Sequence, residues 1–150
     1  LDLRSIAAKA VEDFRSVASR KQIELVLNEA AGPVQVLADP ARVEQVMQNL
    51  VGNALKFSTG GTRTTVRVCT LPAAVRFEVE DQGPGLTADD LTKLFRKHAR
   101  LSNRPTGGEH SSGHGLAICK RMIELHGGRI GATNNPVRGA TFWFELPKGS

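Results

Sequence analysis

The chain has 150 residues, 40% of them hydrophobic and 23% charged, which is enough apolar mass for one globular core and too little charge bias for a disordered chain. Its net charge of +5 forms no basic tail and suits an anionic ligand or partner. With one Trp, six Phe and no Tyr it lacks the aromatic and basic interleaving of a nucleic-acid binder, and no apolar run approaches the roughly 18 residues of a membrane span.

In chain order, Leu3, Ile6, Ala10, Phe14 and Val17 recur at helical spacing and predict an amphipathic helix over 2–20. The chain starts abruptly in this helix with no secretory leader, as a domain cut from a longer protein would. Ile23–Leu27 alternates apolar with polar and predicts a strand. Val34–Ala38, after Gly32-Pro33, predicts a second. Asp39-Pro40 is a helix start, with Asp capping free N–H groups and Pro fitting the first position. That helix runs to about Phe57 and stops at Ser58-Thr59-Gly60-Gly61. Strands follow at about Arg63–Leu71 and Val75–Asp81.

Residues 82–115 are glycine-rich, with one short helical stretch at about Ala88–Phe95, and read as a functional loop or lid. A helix from about Gly113 ends at His126-Gly127-Gly128, and strands at about Arg129–Thr133 and Ala140–Leu146 close the chain. The pattern predicts a two-layer α/β sandwich, helices covering one face of a mixed sheet. Cys69 and Cys119 stand in apolar stretches without CxxC spacing and read as small buried hydrophobes of a reducing compartment.

Helix 40–57 carries two stripes. Val43, Val46, Met47, Leu50, Val51 and Ala54 form the apolar one; Gln45, Asn49, Asn53 and Lys56 form the other. The plain alternative is a solvated face, yet such faces favour Lys and Glu over Asn, a mediocre helix former. Amide oxygens suit a hard cation such as Mg²⁺, and a lysine suits phosphate.

The run Asn49-Leu50-Val51-Gly52-Asn53-Ala54-Leu55-Lys56-Phe57 resembles the asparagine box of sensor histidine kinases, within the larger group of gyrase, Hsp90 and MutL. Asp81-Gln82-Gly83-Pro84-Gly85 resembles that family's first glycine box and Ser112-Gly113-His114-Gly115-Leu116-Ala117-Ile118, less closely, its second. His126-Gly127-Gly128 and Gly139-Ala140-Thr141-Phe142 are similar to its closing motifs. The resemblance covers essentially the whole chain. It implies the Bergerat fold, a mixed sheet of roughly five strands covered on one face by about three helices, as one catalytic ATP-binding domain over 1–150 with a lid at about 97–113. It also implies ATP and Mg²⁺ as cofactors: Asn53 on the metal, Asn49 assisting, Lys56 on phosphate and Phe57 bordering the nucleotide. Asp81 would accept from the adenine amino group, which is chemically apt because an ionised carboxylate only accepts. Gly83 and Gly85 would let backbone approach the base. Gly113, His114, Gly115 and Leu116 would open a helix toward the phosphates, with Arg100 offsetting charge and Thr141 near adenine.

Family members that hydrolyse ATP commonly carry a glutamate four residues before the metal asparagine. Here Asn49 stands there, so the resemblance implies transfer to a histidine, whose neutral imidazole is already nucleophilic, and disfavours an ATPase or serine kinase. The acceptor itself is a His followed by Glu or Asp. His98, His110, His114 and His126 are followed by Ala, Ser, Gly and Gly, so the chain is expected to bind ATP but not to autophosphorylate alone. The implied partners are an upstream dimerisation and phosphoacceptor domain, homodimeric in the parent protein, and the receiver domain of a response regulator. Neither nucleic acid nor direct membrane contact is expected, and the location is cytoplasmic even if the parent is anchored in a membrane. His98, Ser111 and His114 replace usual lid residues. They motivate the alternative of a degenerate kinase domain, with weak ATP binding, that acts as a regulatory scaffold.

Overall fold

In a computed structural model, which describes residues 1–95 and 115–148, the elements run α1 (Leu3–Asp13), α2 (Arg15–Arg20), β1 (Glu24–Asn28), α3 (Pro40–Phe57), β2 (Arg63–Thr70), β3 (Ala74–Glu80), α4 (Ala88–Lys93), α5 (Gly115–Leu125), β4 (Arg129–Asn134) and β5 (Ala140–Pro147). The strands form one mixed sheet in the order β1-β2-β3-β5-β4. β1 and β2 are parallel, joined across α3, because parallel neighbours need a long crossover. The other pairs are antiparallel. Helices α1, α3 and α5 pack side by side on one face, as the two-layer reading expects.

Strand alternation decides what each layer holds. Val66, Val68, Val75, Phe77, Val79, Phe142, Phe144 and Leu146 point toward the helices and meet Leu3, Val43, Val46, Met47, Leu50 and Ile123 in the core. Phe77 and Phe144 stack with centroids 5.2 Å apart. The opposite face carries charge: Arg67 bonds Glu78 and Glu80, and Arg76 bonds Glu78 and Glu145. Arg76 also lies over the Trp143 ring at 4.5 Å.

Three expectations change. The helix over 2–20 is two helices, broken at Phe14 (φ −108°, ψ 3°), whose N–H closes the last turn of α1 on the Val11 carbonyl at 3.1 Å. Val34–Ala38 is not a strand. Gln35 bridges only Asp2, with Leu3 N–H donating to Val34 and Val36 N–H to Leu1, so the segment has the burial of a strand (Val34, Val36) without a strand beside it. The expected start of the last helix, Gly113, lies outside the described residues, and α5 is described from Gly115. Cys119 is buried, but Cys69 is half-exposed on the charged face, and both thiols are free. Among the described residues, no helix is long and apolar enough to cross a membrane.

Candidate functional site

Three pieces meet at one end of the sheet: the last turns of α3, the segment after β3, and the β4–β5 hairpin. α3 is set at its start by Asp39, whose carboxylate accepts the Ala41 N–H at 3.0 Å, with Pro40 in the first position. Its end is held by Lys21, whose ammonium donates to the Leu55 and Lys56 carbonyls at 2.6 and 3.2 Å, where the helix dipole is negative. The Ser58 hydroxyl adds a bond to the Ala54 carbonyl at 2.6 Å. The polar stripe therefore sits on a rod fixed at both ends.

Asn49, Asn53 and Lys56 line a cleft of about 320 Å³ whose other wall is Phe14 and Val17. Asn49 is already engaged. Its amide donates to the Gln45 carbonyl at 3.4 Å and it hydrogen-bonds the Cys119 thiol, which burial pushes up to about 12. It ties α3 to α5. Among the described residues Asn53 makes no hydrogen bond, and its half-buried amide is presented to the cleft. The next residue after Lys56, Phe57, lines a second cavity with Asp81, Pro84, Gly85, Leu86, Ala140 and Phe142. The two cavities share the last turn of α3.

Asp81 is 6% exposed. Burial raises its pKa, and the backbone N–H groups of Gly83 and Ala140 offset part of that rise. Both bonds, at 3.0 and 3.1 Å, fall on Oδ1, so Oδ2 keeps its acceptor capacity in the cavity. Gly83 lies under the end of α3, where a Cβ would stand 3.1 Å from the Phe57 carbonyl oxygen. Gly85 has φ +80°, a conformation that glycine adopts without strain.

Of the sequence-predicted residues, the structure brings together Asn49, Asn53, Lys56, Phe57, Asp81, Gly83 and Gly85. Arg100, Gly113 and His114 lie outside the described residues, as does the whole of the expected lid at 97–113, with His98, His110 and Ser111. Gly115 opens α5. The Leu116 side chain is packed in the core at 8% exposure. Thr141 is not among the residues that line the Asp81 cavity. It pairs with Glu80 and Thr133 on the charged side of the sheet, and its neighbour Ala140 faces the cavity. Alternation with Phe142, Phe144 and Leu146 was the signal that would have placed it there.

Sequence reasoning placed both strands of this hairpin but missed the residues of its turn that hold the site. The Asn134 side chain accepts the Leu86 N–H at 2.8 Å and donates to the Leu86 carbonyl at 2.7 Å. The Asn135 amide donates to the Asp81 carbonyl at 3.0 Å, and Arg138 to that of Gly83 at 3.3 Å. Asn134-Asn135-Pro136 signals a turn, but nothing local says which distant loop the turn will clasp.

A buried acceptor carboxylate in a lined cavity, joined through one helix turn to a cleft of amides and a lysine, defines a nucleotide-binding α/β sandwich. Residues 38–150 match the family model described as histidine kinase-, DNA gyrase B- and HSP90-like ATPase. The chain is 32% identical over 148 residues to the adaptive-response sensory kinase SasA of Synechococcus sp. (strain CC9311), covering 98% of this chain and 38% of that protein. Among solved structures, the mycobacterial sensor histidine kinase MprB superposes with a TM-score of 0.88 at 27% identity, covering 99% of this chain and 97% of that one. Histidine kinase ThkA, solved in complex with response regulator protein TrrA, gives a TM-score of 0.83 at 25% identity, over 99% of this chain and 41% of that one. The chain belongs to the histidine kinase-, gyrase B- and HSP90-like ATPase family and is an ATP-binding domain of it. It spans 38% of the length of the sensory kinase it matches.

Proposed function

We propose that residues 1–150 are the catalytic ATP-binding domain of a two-component sensor histidine kinase, which transfers the ATP γ-phosphate to a histidine on a separate dimerisation domain in the cytoplasm. The observation that carries the reading is Asp81. Its Oδ1 is locked by two backbone N–H groups and its Oδ2 keeps its acceptor capacity beside a cavity bordered by Phe57, the residue that follows Lys56 of the Asn53 cleft. Such a site fits a base with an amino group at one end and phosphates at the other.

Asn53 suits Mg²⁺, because a carboxamide oxygen is a hard donor and this one has no competing hydrogen bond among the described residues. When bound, Mg²⁺ supplies charge compensation on the phosphate oxygens. Lys56 adds a cation on the same stripe, and Phe57 borders the base. Asn49 assists from the preceding turn of the same stripe, and its bond to Cys119 holds this wall against α5. With no carboxylate at position 49 to activate water, the arrangement favours an imidazole acceptor, and catalysis reduces to positioning and charge compensation. The partners are then the parent protein's own dimerisation domain and a response regulator, a reading supported by the ThkA–TrrA complex among its structural neighbours.

The test is nucleotide titration of this chain with and without Mg²⁺. Micromolar ATP binding is expected, with the Mg²⁺-dependent part removed by Asn53→Ala and the Mg²⁺-independent part retained. Label from γ-labelled ATP is expected on an added dimerisation domain and not on this chain. No detectable ATP binding, or a phosphohistidine on the isolated chain, overturns the proposal.

A further inference from the structure

The ladder between β3 and β5 ends at the Glu80–Thr141 pair, so Asp81 lies one residue beyond regular pairing. Its backbone N–H still reaches the Ala140 carbonyl at 2.9 Å. Its carbonyl has no strand partner, and the Asn135 side chain takes that role, donating at 3.0 Å. The same Nδ2 reaches the Arg138 carbonyl at 3.3 Å. Because both partners are carbonyl oxygens, which only accept, the amide nitrogen must face them and Oδ1 must face the other way. There the Thr141 hydroxyl donates to it at 2.6 Å. Thr141 therefore fixes which end of the Asn135 amide meets Asp81, from the side of the sheet opposite the cavity.

These contacts hold Asp81 at four points: N–H, carbonyl, and two bonds on Oδ1. Asn135 is the only one of the four that a side chain supplies from another element. The geometry points to Asn135, oriented by Thr141, as a positioning residue that sets the aim of the Asp81 carboxylate and so the preference of the site for a base bearing an amino group. This inference rests on the reading of Asp81 as the acceptor for adenine.

The experiment compares ATP with inosine triphosphate, which carries a carbonyl in place of the amino group and leaves the phosphates unchanged. Asn135→Ala is expected to weaken ATP binding about tenfold, the worth of one buried hydrogen bond that orients a charged acceptor, while inosine triphosphate binding changes less than about twofold. Thr141→Val, which keeps the shape and removes the hydroxyl, shifts ATP in the same direction by less, and Thr141→Ser restores the wild-type preference. In an Asp81→Asn background, Asn135→Ala adds no further loss, since the group it aims is gone. Thermal unfolding is followed for each variant. Should Asn135→Ala fail to fold, the Thr141 pair carries the test unaided.

Equal losses for the two nucleotides, or an additive loss in the Asp81→Asn background, overturn the inference and leave Asn135 a structural residue. A wild-type chain that binds both nucleotides equally, with Asp81→Asn unchanged, overturns it differently, by removing the reading of Asp81 on which it rests.

Discussion

Two glycines with almost the same backbone conformation allow the closure of the Asp81 loop to be weighed. Gly139 has φ +88° and Gly61 φ +84°. A Cβ at Gly61 meets nothing within 4 Å, whereas one at Gly139 would stand 2.0 Å from the Asp81 carbonyl oxygen and 2.9 Å from Oδ1. Replacing either with Ala incurs the left-handed penalty of roughly 1–2 kcal/mol, offset in both by the smaller entropy of the unfolded chain. At Gly139 the hairpin and the end of β3 must also part by about 1 Å to restore contact distance. That separation breaks the bond from Asp81 N–H to the Ala140 carbonyl (2.9 Å) and those from Ala140 N–H to Oδ1 (3.1 Å) and Asn135 to the Asp81 carbonyl (3.0 Å). At about 1 kcal/mol each, the steric part adds roughly 3 kcal/mol, so Gly139→Ala should cost about 4–5 kcal/mol against 1–2 for Gly61→Ala. Urea unfolding of the two variants, read as the difference between them, isolates the contact term. ATP titration should show binding lost in Gly139→Ala and kept in Gly61→Ala. If the two variants unfold within 1 kcal/mol of each other, the clasp does not have the tightness assigned to it.

Three further outcomes are expected. Burial raises the Asp81 pKa, so acidification protonates it above the ordinary carboxylate range; the ratio of ATP to inosine triphosphate affinity should fall there, and remain flat in Asp81→Asn. The Arg4 guanidinium lowers the Asp2 pKa from 3.8 to about 2, so its stabilisation is fully present above pH 3.8 and lost as pH falls through about 2. Asp2→Asn keeps the helix cap and should lower stability by about 1 kcal/mol at pH 6, a difference in thermal midpoint that shrinks toward pH 2. Arg76→Met removes the cation over the lone Trp, Trp143, and one of two guanidinium partners of the buried Glu145; the loss should be about 1–3 kcal/mol, with a red shift in tryptophan emission. An unchanged spectrum would refute the Arg76 contact with the Trp143 ring.

The polar stripe of α3 was legible because a helix converts spacing directly into direction: Asn49, Asn53 and Lys56 fall on one side whatever surrounds them. The cap at Asp39-Pro40 and the strand preceding Asp81 are equally local. The contacts within the stripe were not local, since Asn49 bonds Cys119 only because α5 lies against α3. Val34–Ala38 shows the same limit for strands. Its alternation correctly buries Val34 and Val36, but a strand requires a neighbour, and only residues 1–3 are near.

By itself, then, the sequence determined the elements, the faces they bury, and the residue types available for chemistry at the end of β3 and along α3, all consequences of periodicity and short-range capping. Tertiary structure alone decided that a turn at 134–139 clasps a loop 50 residues earlier, that Ala140 and not Thr141 faces the cavity, and that Asp81 turns one oxygen inward and leaves the other for a ligand. Those outcomes depend on which backbone groups remain unpaired once the sheet is assembled, and no stretch of chain carries that information before the strands have met.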